Sequence, residues 1–310
     1  MQLPAHFVAT INGLYGQRGA AWLATLPDHL RALATMWDLE LAAPYPLSYN
    51  YVCAAVVRST GQLVVLKTAP ANPDFDTEVS WLCQTAGTGV VSVTAIDRAR
   101  TAVLLARATP GTRLVDSALS DTQQTDVIAH LIHSSRTPVP AQHTYPSVVG
   151  QCAVLRSLPD RFPAVAAILS LQHIAAAVAI VDRLGPSAST HLLHGDLHHE
   201  NILLHDGRWI IIDPKGVVGC PAHECTALLR NPGRLLDSGV DVVALTCTRI
   251  AACAEILGLA PGDIAAWNYA QMVLSAWWCA EDGGEIPSTE IRRIDEFRRV
   301  AAVYGIPEAQ

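Results

Sequence analysis

The apolar period of this chain changes twice, and each change restricts which elements can pack together. Residues 1–40 place Trp22, Leu23, Leu26, Leu30, Leu33 and Trp37 at helical spacing, with Pro27 marking a break. From about Tyr49 the period is that of strands. Tyr51–Val57 and Leu63–Leu66 are apolar, largely β-branched runs joined by Arg58-Ser-Thr-Gly-Gln62, where a glycine makes positive φ cheap, and they predict a hairpin. Asn72-Pro73 then supplies an N-cap and a first-turn proline ahead of Phe75, Val79 and Leu82, which predicts a helix over 73–86. Ser92–Ile96 and Thr101–Arg107 predict two more strands. Beyond Ala108-Thr-Pro-Gly111 the helical period returns over 121–135, 161–184, 222–230, 236–258, 262–281 and 288–303, interrupted by a short hairpin at Ile202–Leu204 and Trp209–Ile212. The expectation is an α+β chain: a small sheet lobe with an N-terminal helical extension over 1–107, a hinge at 108–111, and a mainly helical lobe over 112–310.

Composition narrows the partners. The 310 residues carry 21 Lys+Arg against 28 Asp+Glu, a net charge of −7, and no basic cluster exceeds Arg292–Arg293 or Arg298–Arg299. A nucleic-acid backbone needs more clustered cations than that, so no nucleic-acid partner is expected, and a cationic ligand suits the charge better. The first residues lack a basic stretch followed by an uninterrupted apolar run. Leu171–Ile180 is too short to span a bilayer, and Val240–Ala260 carries Asp241, Arg249 and Glu255. A monomer in the cytoplasm, without a membrane partner, is expected. The eight cysteines stand singly, mostly in apolar runs, and read as small core hydrophobes without disulfides.

The chemically informative string is His194-Gly-Asp196-Leu-His-His-Glu-Asn201, followed by Ile211-Ile-Asp213-Pro. An Asp and an Asn five apart on a loop before a strand, with a second Asp closing the return strand, offer three oxygen groups for one spot. Phosphoryl transfer needs one carboxylate to orient the attacking hydroxyl and take its proton, which is assigned to Asp196. It needs a second carboxylate and an amide oxygen to hold magnesium, assigned to Asp213 and Asn201. The same template calls for a lysine on an early strand to hold phosphates and a helix glutamate to hold the lysine; Lys67 and Glu78 occur in that order. The plainer alternative is that these are loop residues capping backbone groups. Asp74, one turn before Glu78, competes for the lysine.

On these strings, with Trp22-Leu-Ala-Thr-Leu-Pro27, Leu104–Gly111, Ile212–Gly219, Leu228-Leu-Arg-Asn-Pro232 and Val273–Trp277, the chain resembles the kinase-like antibiotic phosphotransferases, within them the streptomycin 6-kinase and hydroxyurea phosphotransferase family. The resemblance implies a bilobal protein-kinase-like fold, ATP as donor with GTP left open, Mg²⁺, and transfer to a hydroxyl of an aminoglycoside-like acceptor. It further implies nucleotide contacts at Ser48, Arg107 and Ala108. The chain departs from the pattern in places. No glycine occurs between residues 20 and 60, so the phosphate-covering turn would be Ser48-Tyr-Asn-Tyr51, with fewer approachable amides. Cys220 and Ala106 stand where relatives commonly carry acids. His198 replaces the lysine of protein kinases, and Asp213-Pro214 replaces their Asp-Phe-Gly.

A cationic acceptor needs carboxylates around it, and Glu224, Glu281 and Asp282, with Trp278 at the rim, are the candidates; solvated acids and a core tryptophan are the plainer alternatives. The histidines at 191, 194, 198 and 199, and Cys220-Pro-Ala-His-Glu-Cys225, lack the closed four-ligand spacing of zinc sites, and His194 is expected to brace its loop by hydrogen bonds. Two other functions stay open: a non-catalytic nucleotide-binding module, and a kinase for another small metabolic alcohol.

Overall fold

The computed structural model describes residues 3–87, 89–281 and 285–306. The chain forms two compact units, Met1–Gly111 and Thr112–Gln310.

The first unit opens with α1 (Ala5–Tyr15) and α2 (Gln17–Met36), followed by β1 (Leu39–Pro44), β2 (Tyr51–Val57), β3 (Leu63–Thr68), α3 (Pro73–Gln84), β4 (Val93–Asp97) and β5 (Ala102–Ala106). The strands form an antiparallel sheet in the order β1-β2-β3-β5-β4. Two expectations for residues 1–40 are corrected. α2 runs through Pro27, and the break falls at Gly16, with φ +55°. The last residues are not helical: Leu39, Glu40 and Leu41 pair with Val57, Val56 and Ala55 as an edge strand. The helices and sheet share one core, in which Phe7, Ile11, Leu26, Leu33, Leu39, Leu66 and Leu104 are almost fully buried. α3 starts where its cap predicts, Asn72 accepting from Phe75 N at 3.0 Å with Pro73 in the first turn.

The second unit contains β6 (Pro110–Arg113, whose last two residues open the unit), α4 (Asp121–Ser134), β7 (Thr137–Pro138), α5 (Val148–Cys152), α6 (Val154–Arg161), α7 (Pro163–Leu169) and α8 (Leu171–Leu184). It continues with β8 (His191–Leu193), β9 (Ile202–His205), β10 (Arg208–Ile211), β11 (Val217–Gly219), α9 (Pro221–Leu229), α10 (Gly233–Leu236), α11 (Val242–Leu257), α12 (Pro261–Glu281) and α13 (Ser288–Val303). The single helix expected over 161–184 is three pieces. Phe162 precedes Pro163 and is pushed out of helical geometry, and Ser170 sits at φ +68°. The helix expected over 236–258 starts instead at Val242, where Asp241 accepts from Ala244 N. Every residue of α9 is buried, as is most of α12, so these two helices form the centre of the unit.

Among the described residues no single helix is long and apolar enough to cross a membrane. Among the cysteines Cys53, Cys152, Cys225 and Cys253 are buried, as core hydrophobes should be, whereas Cys83 is exposed.

Candidate active site

In the first unit, Lys67 sits on β3 between Val52 of β2 and Val103 of β5. Its Nζ lies 2.6 Å from Glu78 Oε1 of α3, and both side chains are about nine-tenths buried. A central strand and a capped helix thus hold the ammonium in one place. Asp74 is exposed, and Glu78 is the acid that takes the lysine. Ser48 is exposed in the turn between β1 and β2, Arg107 is exposed just after β5, and Ala108 beside it is half-buried.

In the second unit the loop between β8 and β9 carries Asp196 and Asn201, and its bonds determine where each side chain is left. His194 is fully buried. Its Nδ1 accepts from Asp196 N at 3.1 Å, so the ring proton is on Nε2, which donates to Ile212 O at 2.9 Å. Burial pushes His194 down to about 4, which keeps the ring neutral and Nδ1 able to accept. Asn201 O accepts from Ile212 N at 2.9 Å, and Asn201 Nδ2 donates to Asp196 O at 2.9 Å. The stretch before Asp213 is therefore stitched to the loop from both sides. Asp213 is exposed and has φ +59°, a left-handed conformation that a β-carbon makes costly.

These bonds occupy the Asp196 backbone N–H and C=O while, among the described residues, its carboxylate accepts no hydrogen bond. His198 Nε2 approaches Asp196 Oδ2 to 3.9 Å, and burial lowers the His198 pKa, so that ring too favours the neutral form. Asn201 Oδ1 likewise accepts nothing among the described residues.

Glu224 needs correction as an acceptor-binding acid. It is buried in α9, and its two oxygens accept from the backbone N–H groups of His194 (2.6 Å) and Gly195 (2.9 Å). It faces the back of the loop. Burial raises its pKa to about 7, opposed by the two N–H donors and reinforced by the charge of Asp196. Gly195 permits this arrangement: its φ is +83°, and a β-carbon there would meet Val217 Cγ2 at 2.9 Å.

Trp278 is half-buried on α12 and Glu281 is exposed at the end of that helix; Asp282 lies outside the described residues. Trp277 is buried, its ring 4.5 Å from that of Phe162. Among the described residues no three His, Cys, Asp or Glu side chains converge in the manner of a metal site. His199 is buried, neither ring nitrogen having a hydrogen-bond partner among the described residues, and His223 Nε2 donates to Gln271 Oε1 at 3.0 Å. Arg230, the C-cap residue of α9, donates through Nε to Thr226 O at 3.3 Å and through Nη1 to Ser275 Oγ at 3.2 Å. In the sequence it appeared only within Leu228-Leu-Arg-Asn-Pro232, a string whose spacing carries no chemical signal.

The family model of aminoglycoside/hydroxyurea antibiotic resistance kinases matches residues 47–283, well over half of the chain. The chain belongs to this family. As a member of the antibiotic resistance kinases it is 26% identical to a streptomycin 6-kinase of Streptomyces glaucescens, over 91% of this chain and 92% of that one. It is 26% identical to a hydroxyurea phosphotransferase of Kitasatospora aureofaciens, over 94% of this chain and 84% of that one. Solved structures share the fold at low identity. A choline kinase from Streptococcus pneumoniae superposes with a TM-score of 0.62 at 15% identity, covering 90% of this chain and 99% of that one. A thermostable mutant of an aminoglycoside phosphotransferase, in ternary complex with ADP and hygromycin B, gives 0.58 at 14% identity, covering 90% and 99%. The fold is the bilobal kinase-like one, and this resistance kinase is a small-molecule phosphotransferase acting on a hydroxyl.

Proposed function

We propose that this kinase transfers the γ-phosphate of ATP to a hydroxyl of a small cationic antibiotic of the streptomycin type. The observation that carries the reading is the Asp196–Asn201 loop, which is held by bonds from backbone groups and from the side chains of His194, Asn201 and Glu224, while among the described residues the Asp196 carboxylate accepts no hydrogen bond. A general base must be held in place and still be available to the substrate, and this loop meets both demands. Asp196 orients the acceptor hydroxyl and takes its proton as the oxygen attacks. Lys67, held by Glu78, binds the phosphates of the donor.

The donor set suits a hard divalent cation. Because Asn201 Nδ2 is committed to a carbonyl, the amide presents its oxygen, and Asp213 adds an exposed carboxylate beside it in the chain trace. Magnesium held there would neutralise charge on the phosphate oxygens. The acid excess of the sequence and the names of the relatives support a cationic acceptor.

An acceptor panel with Mg·ATP, containing streptomycin, hydroxyurea and choline and read by product mass and ADP release, tests the reading. Streptomycin is expected to gain one phosphoryl group. Binding of Mg·ATP by calorimetry without phosphorylation of any acceptor would replace the kinase reading with a nucleotide-binding module.

A further inference from the structure

The segment that leads from β1 into β2, residues 45–50, is stiff where a phosphate-covering loop is ordinarily pliant. It contains no glycine, and Pro44 and Pro46 lock φ on either side of Tyr45. Tyr45 N donates to Val52 O at 2.9 Å, which closes the turn against the start of β2. A second support comes from α1, far away in the chain: His6 donates through Nε2 to Leu47 O at 2.8 Å. Leu47 is the one buried residue of 45–50, and it shares a core cluster with Phe7 and Ile11, both also on α1. The same helix therefore bonds the Leu47 carbonyl and shares a core with its side chain. Ser48 and Tyr49, which follow, are exposed, and Asn50 is half-buried.

This braced turn lies at the lysine's end of the sheet. Val52, whose carbonyl closes it, is the β2 residue paired with Lys67, and Tyr51 is paired with Thr68. Residues directly opposed on antiparallel strands sit about 5 Å apart. A glycine-rich loop must be ordered when its ligand arrives, whereas a turn fixed by prolines, a buried leucine and an outside hydrogen bond is ordered when the chain folds, so binding no longer bears that entropy cost.

We propose that α1 is the support of the phosphate-covering turn and that His6 is a positioning residue for the nucleotide, acting through Leu47 O to hold Ser48, Tyr49 and Asn50 over the phosphates bound by Lys67. His6 itself does not touch the nucleotide. The inference rests on the kinase reading above.

Calorimetry on the full chain, comparing Mg·ATP with adenosine, tests it, because only the first ligand carries the phosphates that the turn covers. In His6→Ala the Kd for Mg·ATP is expected to rise roughly 3- to 10-fold, the range of one net hydrogen bond, while the Kd for adenosine stays within about twofold of wild type. His6 is exposed, so its replacement opens no hole in the core. His6→Gln is expected to bring the Kd for Mg·ATP back to within about twofold of wild type, because the amide Nε2 can donate to the same carbonyl. An unchanged Kd for Mg·ATP in His6→Ala, an equal rise for adenosine, or no recovery in His6→Gln overturns the inference and leaves the kinase reading intact, since that reading is decided by what the wild type phosphorylates. Failure of the wild type to bind Mg·ATP overturns both.

Discussion

The two groups of functional side chains are held in opposite ways. In the first unit Lys67 and Glu78 hold each other, charge against charge, in a site about nine-tenths buried. In the second unit the loop is held by its backbone, through His194, Asn201 and Glu224, and among the described residues the Asp196 carboxylate accepts no hydrogen bond. The difference suits the work proposed for each. A phosphate-binding cation loses little by having a permanent anion beside it, since the anion fixes its position. A base already bonded to the protein would have to break that bond before it could take a proton.

The widest separation is expected between Asp196→Ala and Lys67→Ala. Removing the proposed base should lower kcat about 10²- to 10⁴-fold with little effect on the KM for ATP. The same change should shift stability in urea denaturation by only about 0.5 kcal/mol, because among the described residues the half-buried Asp196 carboxylate accepts no hydrogen bond and its approach to His198 is long, at 3.9 Å. Lys67→Ala should instead destabilise the fold by about 3–5 kcal/mol by stranding Glu78. A large midpoint shift in Asp196→Ala would erase the contrast.

Glu224→Gln probes the backbone scaffold. A carboxamide can accept from one of the two N–H groups but presents its own N–H₂ to the other, so a loss of about 1–3 kcal/mol is expected, with a reduced kcat. Urea denaturation followed by steady-state kinetics checks it; wild-type stability would show that the loop is held elsewhere.

A smaller effect appears in the pH dependence of stability. Burial pushes His223 down to about 4, so the folded chain resists a proton that the unfolded chain accepts near 6.5. Its contribution to stability is complete above about pH 6.5 and is lost at about 1.4 kcal/mol per pH unit as the pH falls towards 4. His223→Phe should be less stable at pH 7, having stranded Gln271, yet show a shallower decline between pH 6.5 and 4 in urea titrations. Glu224 acts in the other direction: its pKa is raised to about 7, so its contribution falls as pH rises from about 4.5 to 7. The smallest effect expected is that of Asp74→Ala, within about 0.5 kcal/mol and without change in the KM for ATP, because the exposed Asp74 is not the acid that holds Lys67.

Much of this molecule is written in local residue pattern. The β2–β3 hairpin, α3 with its Asn72 cap, and the long helices α12 and α13 follow from spacing and punctuation that act within a few residues. The candidates Lys67, Asp196, Asn201 and Asp213 could be named from the sequence because phosphoryl transfer restricts residue types at short spacings. β1 was not legible, because Leu39–Pro44 is a strand by virtue of pairing with β2, and nothing in its own period requires it. The breaks at Phe162–Pro163 and Ser170 cut a helix whose apolar spacing runs on through them.

The identity of the side chains available for chemistry was thus a property of the sequence, since a carboxylate or an ammonium is given by its residue. Only the folded chain decided their partners: Glu78 over Asp74 for the lysine, and Glu224 turned to the back of the loop, where it accepts from the His194 and Gly195 N–H groups. Partner choice depends on burial and on distances between segments far apart in the chain, and neither quantity exists until the helices and strands have packed.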